Sequence, residues 1–154
     1  MLRGLHTKKD DGVEIEPFAD LNTEAERRLG KLVFEKYHTD FYMLHRFPLA
    51  LRPFFTMPCH DDRRFSNSFD VYLRGEEIIS GGQRIHEVEL LVERIKACNI
   101  DVNTMSTFID SFRYGAIMRG GFGVGLERVV MLFCGLDNIR KTSLFPRDVQ
   151  RLDP

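Results

Sequence analysis

The chain has little cysteine, no long apolar run and no export signal at its start, and each absence narrows the class of protein. Cys59, Cys98 and Cys134 are odd in number and far apart, which favours reduced thiols over a disulfide framework or a Cys-x-x-Cys zinc site. We interpret all three as packing residues. No apolar run approaches the roughly 18 residues that span a membrane, and residues 1–6 are too short and polar for a secretory signal. We therefore expect a soluble, cytoplasmic protein.

An excess of charge of one sign is also lacking. The formal net charge is -1 and the isoelectric point is near 6.5, so the chain as a whole does not attract nucleic acid. Any contact with RNA must come from local patches or from other parts of a larger protein. With 154 residues, of which 43% are hydrophobic, the chain is long enough for one domain with a sizeable core.

The common nucleotide-binding loops are absent even from the most glycine-rich stretch. Residues 121–128 read Gly-Phe-Gly-Val-Gly-Leu-Glu-Arg. This is no Gly-x-Gly-x-x-Gly loop because Leu126 stands at the last position, and no Gly-Lys-Ser/Thr follows for a P-loop. The alternate glycines Gly121, Gly123 and Gly125 instead leave one face of a strand without side chains, so a flat or charged ligand can approach the backbone.

A helix is predicted to follow these glycines. Four apolar residues at helical spacing begin with Leu126 and end with Phe133, and Gly135 stands where a helix-ending glycine belongs. We therefore expect Arg128 on the first turn of a packed helix, beside the bare glycine face. The alternative is a glycine-rich packing strand with a surface arginine.

The remaining pattern predicts an α+β fold, an antiparallel sheet flanked by helices. Thr23 and Glu26 have the spacing of a capping box at the start of the first helix, and the cluster His60-Asp61-Asp62 is interpreted as a solvated loop rather than a metal site. Residues 1–21 are expected to form an irregular arm, which looks like a cut end, and 22–154 the folded part. Helices are predicted at 23–37, 86–99 and 104–112, and strands at 40–45, 49–57, 68–74 and 76–84.

The predicted hairpin at residues 68–84 carries two carboxylates of interest. Asp70 alternates with Phe69 and Val71 and is therefore expected to point away from the core. A four-residue loop at 73–76 would pair Tyr72 with Glu77 and make Asp70 and Glu77 diagonal neighbours, roughly 7–8 Å apart. Two carboxylates at that spacing can share a Mg²⁺ ion beside a nucleoside triphosphate. A two-residue turn would separate them by roughly 13 Å, and an ordinary solvated sheet face with ion pairs is the other interpretation.

In an unbroken strand, Ser80 and Arg84 would point to the opposite face of the sheet from Glu77, because they are an odd number of residues away from it. A β-bulge near residues 78–79 would bring all of these side chains to one face, and bulges are frequent beside active sites.

Many ordered stretches resemble one family. Gly121 to Arg128 is similar to motif 3 of class II aminoacyl-tRNA synthetases, and the fuller set resembles the cytosolic aspartyl-tRNA synthetases of the eukaryotic and archaeal type. The matching stretches are Thr-Asp-Phe-Tyr at 39–42, Arg-Pro-Phe at 52–54, Thr-Met-Pro at 56–58, Ser-Asn-Ser-Phe-Asp at 66–70, Arg-Gly-Glu-Glu-Ile at 74–78, Ser-Gly at 80–81, Gln-Arg-Ile-His at 83–86 and Ser-Leu-Phe-Pro-Arg-Asp at 143–148.

The resemblance implies a ligase that uses ATP to convert aspartate to aspartyl-adenylate and then transfers the aspartyl group to tRNA(Asp). By that resemblance Asp70 and Glu77 would bind Mg²⁺ and the ATP phosphates. Ser80 and Arg84 would bind aspartate, with Arg84 facing the substrate carboxylate. Arg128 would be the catalytic arginine that stacks on adenine and meets the γ-phosphate, and Gly123 and Gly125 would line the ATP site.

The resemblance also implies parts that lie upstream of Met1 in this family. These are the anticodon-binding domain, motif 1 of the homodimer interface and the arginine of motif 2. We therefore expect the 154 residues to be the C-terminal part of a catalytic domain, to bind ATP weakly and to be inactive alone.

One local departure leaves two alternatives open. Residues 117–123 read Ile-Met-Arg-Gly-Gly-Phe-Gly where the family reads Pro-Pro-His-Ala-Gly-Gly-Gly. Phe122 at this point is seen in asparaginyl enzymes, so asparaginyl specificity is one alternative. A non-catalytic paralogue or interaction module is the other.

Overall fold

The computed structural model describes Phe18 and residues 20–152, and nearly all of the predicted N-terminal arm lies outside that part. The described chain is an α+β fold, as predicted. Its helices and strands are α1 (Thr23–Tyr37), β1 (Phe41–His45), β2 (Ser68–Leu73), β3 (Glu76–Arg84), α2 (Val88–Ala97), α3 (Ser106–Arg113), β4 (Arg119–Val124) and α4 (Leu126–Phe133). The strands form one antiparallel sheet in the order β1-β2-β3-β4.

Helix α1 spans the predicted residues, but its cap lies one residue earlier than the sequence pattern indicated. The side chain of Asn22 accepts a hydrogen bond from the Ala25 N–H at 2.9 Å, so Asn22 rather than Thr23 satisfies the free donors of the first turn. His38 ends the helix with φ 55°. Gly30 faces the β2–β3 turn so closely that a Cβ on it would lie 2.8 Å from the Gly75 Cα.

The predicted second strand at 49–57 is wrong. The segment contains a 3-10 turn at Leu49–Leu51 and touches its neighbours through isolated bridges only, such as Thr56 with Arg84. Proline has no N–H to donate, and Pro53 interrupts the segment while Pro48 precedes it, so a continuous ladder cannot form. The 3-10 turn ends at Arg52. Residues 55–57 then run beside the end of β3, where the Met57 N–H donates to the Gln83 C=O at 2.9 Å.

Two hydrophobic clusters hold these elements together. One joins α2 and α3 to the end of β3 and contains Ile85, Leu90, Leu91, Ile95, Ile109 and Phe112. The other joins α1 to β1 and β2 through Val33, Tyr42 and Tyr72. The two tyrosine rings stack with centroids 5.2 Å apart. Helix α1 thus covers one face of β1 and β2. The candidate site lies on that face, next to the packed tyrosines.

The C-terminal third departs from the predicted packing. Strand β4 is followed directly by α4, and Gly135 has φ 63°, as expected for a helix-ending glycine. Yet every residue of β4 is exposed, and α4 has no buried residue, with Leu126 67% and Phe133 91% exposed. The predicted packing of α4 is therefore only partial within residues 20–152: residues 129–132 are half-buried, whereas Leu126 and Phe133, at the two ends of the apolar side, are exposed.

The thiols also differ from the interpretation given above. Cys59 is buried, whereas Cys98 and Cys134 are exposed, and all three are free. Packing therefore explains Cys59 alone. In the described part of the chain, no helix has the length and apolar character needed to cross a membrane.

Candidate active site

The β2–β3 hairpin has the register that a shared carboxylate site requires. Tyr72 pairs with Glu77, as predicted, and Leu73 pairs with Glu76. The loop therefore contains only Arg74 and Gly75, so the predicted four-residue loop at 73–76 is wrong, although the register expected from it is present. Val71 then pairs with Ile79, so the register shifts and Ile78 is the extra residue of a β-bulge. The predicted bulge is confirmed.

The bulge brings the predicted site residues to one face of the sheet. Asp70 lies directly opposite Ser80, while Glu77 lies opposite Tyr72, two residues along β2 from Asp70. Directly paired residues, and residues two apart in a strand, share a face. Arg84 is four residues after Ser80 in an unbroken part of β3 and shares this face as well.

Asp70 is not the solvated residue that strand alternation indicated. It is only 4% exposed, and Val71 and Tyr72 beside it are 3% and 2% exposed. Both faces of β2 are therefore covered, and alternation alone does not distinguish a solvated face from a buried one. A buried carboxylate requires a partner.

The partner of Asp70 is Arg52. Its Nη2 lies 2.5 Å from Asp70 Oδ2, and its Nη1 donates to Ser80 Oγ at 3.1 Å. The guanidinium group rests on the Phe47 ring, 4.0 Å from the centroid. The other carboxylate oxygen, Asp70 Oδ1, is buried and has no hydrogen-bond partner. The carboxylate is thus held at one oxygen and left open at the other.

Glu77 lies close enough to Asp70 for the two charges to interact. Burial and the Asp70 carboxylate raise the pKa of Glu77 above its usual range, and the guanidinium groups of Arg128 and Arg52 oppose that rise. Two like charges in a partly buried site repel each other. A cation between them would relieve that repulsion.

Arg128 reaches this site from α4. Its Nη1 donates to the backbone C=O of Glu77 at 2.6 Å. The Gly125 N–H donates to the Ile78 C=O at 2.9 Å, which ties the start of α4 to the bulge. The Arg128 side chain passes 3.7 Å from the position a Gly125 Cβ would occupy. The helix start, the bulge and the arginine therefore form one unit.

The glycine face of β4 is open, as the sequence predicted. A Cβ added at Gly121 or Gly123 would meet nothing within 4 Å. Gly123 lies directly opposite Ser80, so the bare backbone belongs to the face that carries Asp70. A planar group has room to lie against it.

Arg84 lies at the far end of this face. Its guanidinium carbon is 4.0 Å from the centroid of the Phe55 ring, and the residue opposite it on β4 is Arg119. Stacking on an aromatic face holds the guanidinium flat while its N–H donors remain available.

Sequence reasoning missed two residues of this region. The sequence pattern predicts a strand at 49–57 and gives Arg52 no role, although the Arg-Pro-Phe stretch at 52–54 is among those that carry the resemblance. Glu26 was assigned to a capping box, but its Oε1 accepts a hydrogen bond from the Tyr72 hydroxyl at 3.1 Å. Burial raises the pKa of Glu26, and that hydrogen bond opposes the rise.

The donor set fits a hard divalent cation. Asp70 Oδ1 is an unpartnered buried oxygen, and carboxylate oxygens are the ligands that Mg²⁺ prefers. Residues 20–152 hold no cluster of three or more His, Cys, Asp or Glu side chains placed to bind a metal. In the His60 loop, Asp61 pairs instead with Arg46 and Asp62 with Arg64. Further ligands for a cation at Asp70 and Glu77 would thus come from substrate or water.

The family model described as "tRNA synthetases class II (D, K and N)" matches residues 8–149. The chain belongs to this family. It is 67% identical, over 98% of its length, to aspartate--tRNA ligase 2, cytoplasmic, of Arabidopsis thaliana, and covers 27% of that protein.

Solved structures share this fold. This synthetase chain superposes on a putative aspartyl-tRNA synthetase from Leishmania major Friedlin with a TM-score of 0.87 and 54% identity, over 95% of this chain and 29% of that one. The asparaginyl-tRNA synthetase from Pyrococcus horikoshii complexed with asparaginyl-adenylate gives a TM-score of 0.82 and 32% identity, over 93% and 32% of the two chains. The synthetase chain thus spans about a third or less of the proteins it matches.

Proposed function

We propose that this chain forms part of a cytoplasmic aspartate-tRNA ligase, which activates aspartate with ATP and transfers it to tRNA(Asp). The observation that carries the proposal is the single sheet face that holds Asp70, Glu77, Ser80 and Arg84, with Arg128 reaching it from α4. The identity of 67% to an aspartate--tRNA ligase, against 32% to an asparaginyl enzyme, favours aspartate over asparagine.

Asp70 and Glu77 would hold Mg²⁺ and position the ATP phosphates. When bound, the ion supplies charge neutralisation at the phosphates. The unpartnered Oδ1 of Asp70 and the raised pKa of Glu77 support this role, because both groups gain from a nearby positive charge.

The amino acid would bind beside this pair. Arg84 stacks on the Phe55 ring at the end of the shared face, and its planar fork suits a substrate carboxylate. Ser80 lies directly opposite Asp70 and four residues before Arg84 on β3, and its hydroxyl is bonded to Arg52. A carboxylate ligand at Arg84 is the basis of the proposed preference for aspartate.

ATP would lie along the glycine face. Gly123 and Gly125 let the adenine ring approach the backbone, and Arg128 would stack on it and meet the γ-phosphate. The aspartate carboxylate then attacks the α-phosphorus and pyrophosphate leaves. No protein nucleophile is needed, because fixed positive charge and orientation lower the barrier.

The rest of such an enzyme would supply the other wall of the pocket, the anticodon-binding domain and a homodimer interface. The chain covers 27% of the Arabidopsis protein, so we expect the 154 residues alone not to activate aspartate.

A charging assay tests the proposal. We define the hybrid enzyme as the Arabidopsis ligase in which this chain replaces the segment that it matches. The hybrid enzyme should charge tRNA with radiolabelled aspartate. Charging with asparagine instead would favour the asparaginyl alternative, and charging with neither, in a folded hybrid, would favour a non-catalytic paralogue.

A further inference from the structure

Arg52 is the buried cation at the centre of the candidate site. Its side chain is 16% exposed and that of Asp70 is 5% exposed. By contrast, Arg27 and Arg64 make ion pairs in which their own side chains are 63% and 71% exposed. Burying an arginine costs free energy unless it is well paired, so its location calls for an explanation.

The guanidinium group of Arg52 joins two strands. One nitrogen bonds the carboxylate of Asp70 on β2, and the other bonds the hydroxyl of Ser80 on β3. These two residues are direct cross-strand partners. The planar fork of arginine presents its two donors to both groups in fixed directions from one side chain. The stack on Phe47, at 4.0 Å, fixes the plane of that fork.

This contact determines the direction of the remaining carboxylate oxygen. A carboxylate is planar, so holding Oδ2 also fixes Oδ1, which is buried and has no partner. Arg52 occupies one side of Asp70 and leaves the other oxygen unused. Residues that bond to a metal ligand, without binding the metal themselves, commonly orient that ligand in this way.

We propose that Arg52 is a positioning residue of this site, which holds the Asp70 carboxylate and the Ser80 hydroxyl in the orientation that receives the divalent cation and the amino acid. The inference rests on the proposed function for the identity of those ligands. Arg52 itself bonds neither of them. Together with Arg128 it also balances the charges of Asp70 and Glu77 before any ligand binds.

A lysine at this position separates orientation from charge. Arg52→Lys keeps the positive charge but has one ammonium group, which cannot hold Asp70 and Ser80 in a fixed fork. If Arg52 only neutralises the buried charge of Asp70, Arg52→Lys should bind a metal ion as well as the unchanged chain does. If Arg52 orients the carboxylate, Arg52→Lys should bind the ion more weakly.

The test adds Mn²⁺ and ATP to the hybrid enzyme, in which this chain is either unchanged or substituted, and reads metal binding by water-proton relaxation and folding by urea unfolding. We expect Arg52→Lys to remain folded and to raise the dissociation constant for Mn²⁺ by about 10- to 100-fold, the usual effect of losing an outer partner of a metal ligand. The matched control is Arg46→Lys. Arg46 also pairs with a carboxylate, Asp61, and lies over an aromatic ring, Phe65, but on the exposed surface, so its Mn²⁺ affinity should stay within about twofold of the unchanged chain.

Two results would contradict the inference, and they differ from each other. Equal Mn²⁺ affinity in the unchanged chain and in folded Arg52→Lys would overturn the positioning role and leave the proposed function intact. Failure of the unchanged hybrid enzyme to bind Mn²⁺ in the presence of ATP would overturn the metal role itself, and the inference with it.

A second variant serves if Arg52→Lys fails to fold. Phe47→Leu removes the ring under the guanidinium group and leaves every charge in place. Weaker Mn²⁺ binding by this variant would support positioning by Arg52. Unchanged binding would contradict it.

Discussion

At the scale of single residues, Arg128 makes the most direct contact between α4 and the site. Its guanidinium bonds the Glu77 backbone at 2.6 Å. We expect Arg128→Ala in the hybrid enzyme to lower aspartate-dependent pyrophosphate exchange by at least about 100-fold, because a fixed donor near the developing charge is lost. Arg27→Ala, which removes an exposed ion pair with Glu76, is the control and should leave the exchange rate nearly unchanged. Normal exchange by Arg128→Ala would rule out the mechanism.

Asp70 combines a structural role with its proposed function. Asp70→Asn would leave Arg52 buried without a counter-ion, which costs about 3 kcal/mol in the free energy of unfolding. Urea unfolding measures this value. Asp61→Asn breaks an exposed pair with Arg46, in which the two side chains are 64% and 37% exposed, and should lower the free energy of unfolding far less, because solvent screens that pair. Equal effects of the two substitutions would mean that the Asp70 pair is solvated.

Glu26 gives the chain a pH dependence. Burial raises its pKa above 4.5 in the folded state, so the folded protein binds more protons there than the unfolded protein does, and the stability contributed by Glu26 falls as pH rises through that pKa. We expect Glu26→Gln, which still accepts the Tyr72 hydrogen bond, to match the native stability at low pH and to exceed it at pH 7 by less than about 1 kcal/mol.

Urea unfolding across this pH range measures the difference between Glu26→Gln and the native chain. Glu24→Gln, an exposed change in the same helical turn, is the control. A stability gain for Glu26→Gln that did not depend on pH would contradict the assignment.

At the scale of elements, α1 is fixed by its contact with the β2–β3 turn. A Cβ at Gly30 would lie 2.8 Å from the Gly75 backbone, so we expect Gly30→Ala to destabilise the fold by about 1–3 kcal/mol. Gly121→Ala is the matched control, because a Cβ there meets nothing within 4 Å, and its effect on stability should be within about 0.5 kcal/mol. Thermal unfolding compares the two, and equal midpoints would contradict the close packing of α1.

The hairpin was predictable because its information is local. Alternation predicted β2, Gly75 marked the turn before β3, and the opposite parity of Glu77 and Ser80 led to the expectation of a bulge, which the structure contains at Ile78. The strand assignment at 49–57 failed because its β-forming residues are interrupted by prolines. As a result, the role of Arg52 was not predictable, since a contact across 18 residues of chain leaves no local signal.

Burial was harder to predict than secondary structure. The apolar spacing of α4 is real, yet Phe133 is 91% exposed, because burial depends on what lies against the helix and not on its own pattern. Asp70 shows the reverse case, a polar residue in strand alternation that is 4% exposed. Both faces of β2 are covered by elements distant in the sequence.

At the scale of the whole molecule, the proposed site lies on one open face of the sheet, and the chain spans only part of its relatives' length. The site residues share a sheet face, and beyond them β4 and α4 expose Phe122, Val124 and Leu126. Large exposed apolar side chains on neighbouring elements are typical of an interface. The chain covers 27% of the Arabidopsis ligase and 29% of the Leishmania structure. We therefore expect activity from the hybrid enzyme and not from the isolated chain.

Pyrophosphate exchange by the hybrid enzyme tests the central claim most directly, because it reports adenylate formation without tRNA. The account predicts exchange that depends on aspartate, is at least about 100-fold slower with asparagine, as expected for a site built around a charged ligand, and is lost without Mg²⁺. Exchange that favoured asparagine, or a folded hybrid enzyme that formed no adenylate with aspartate, would contradict it.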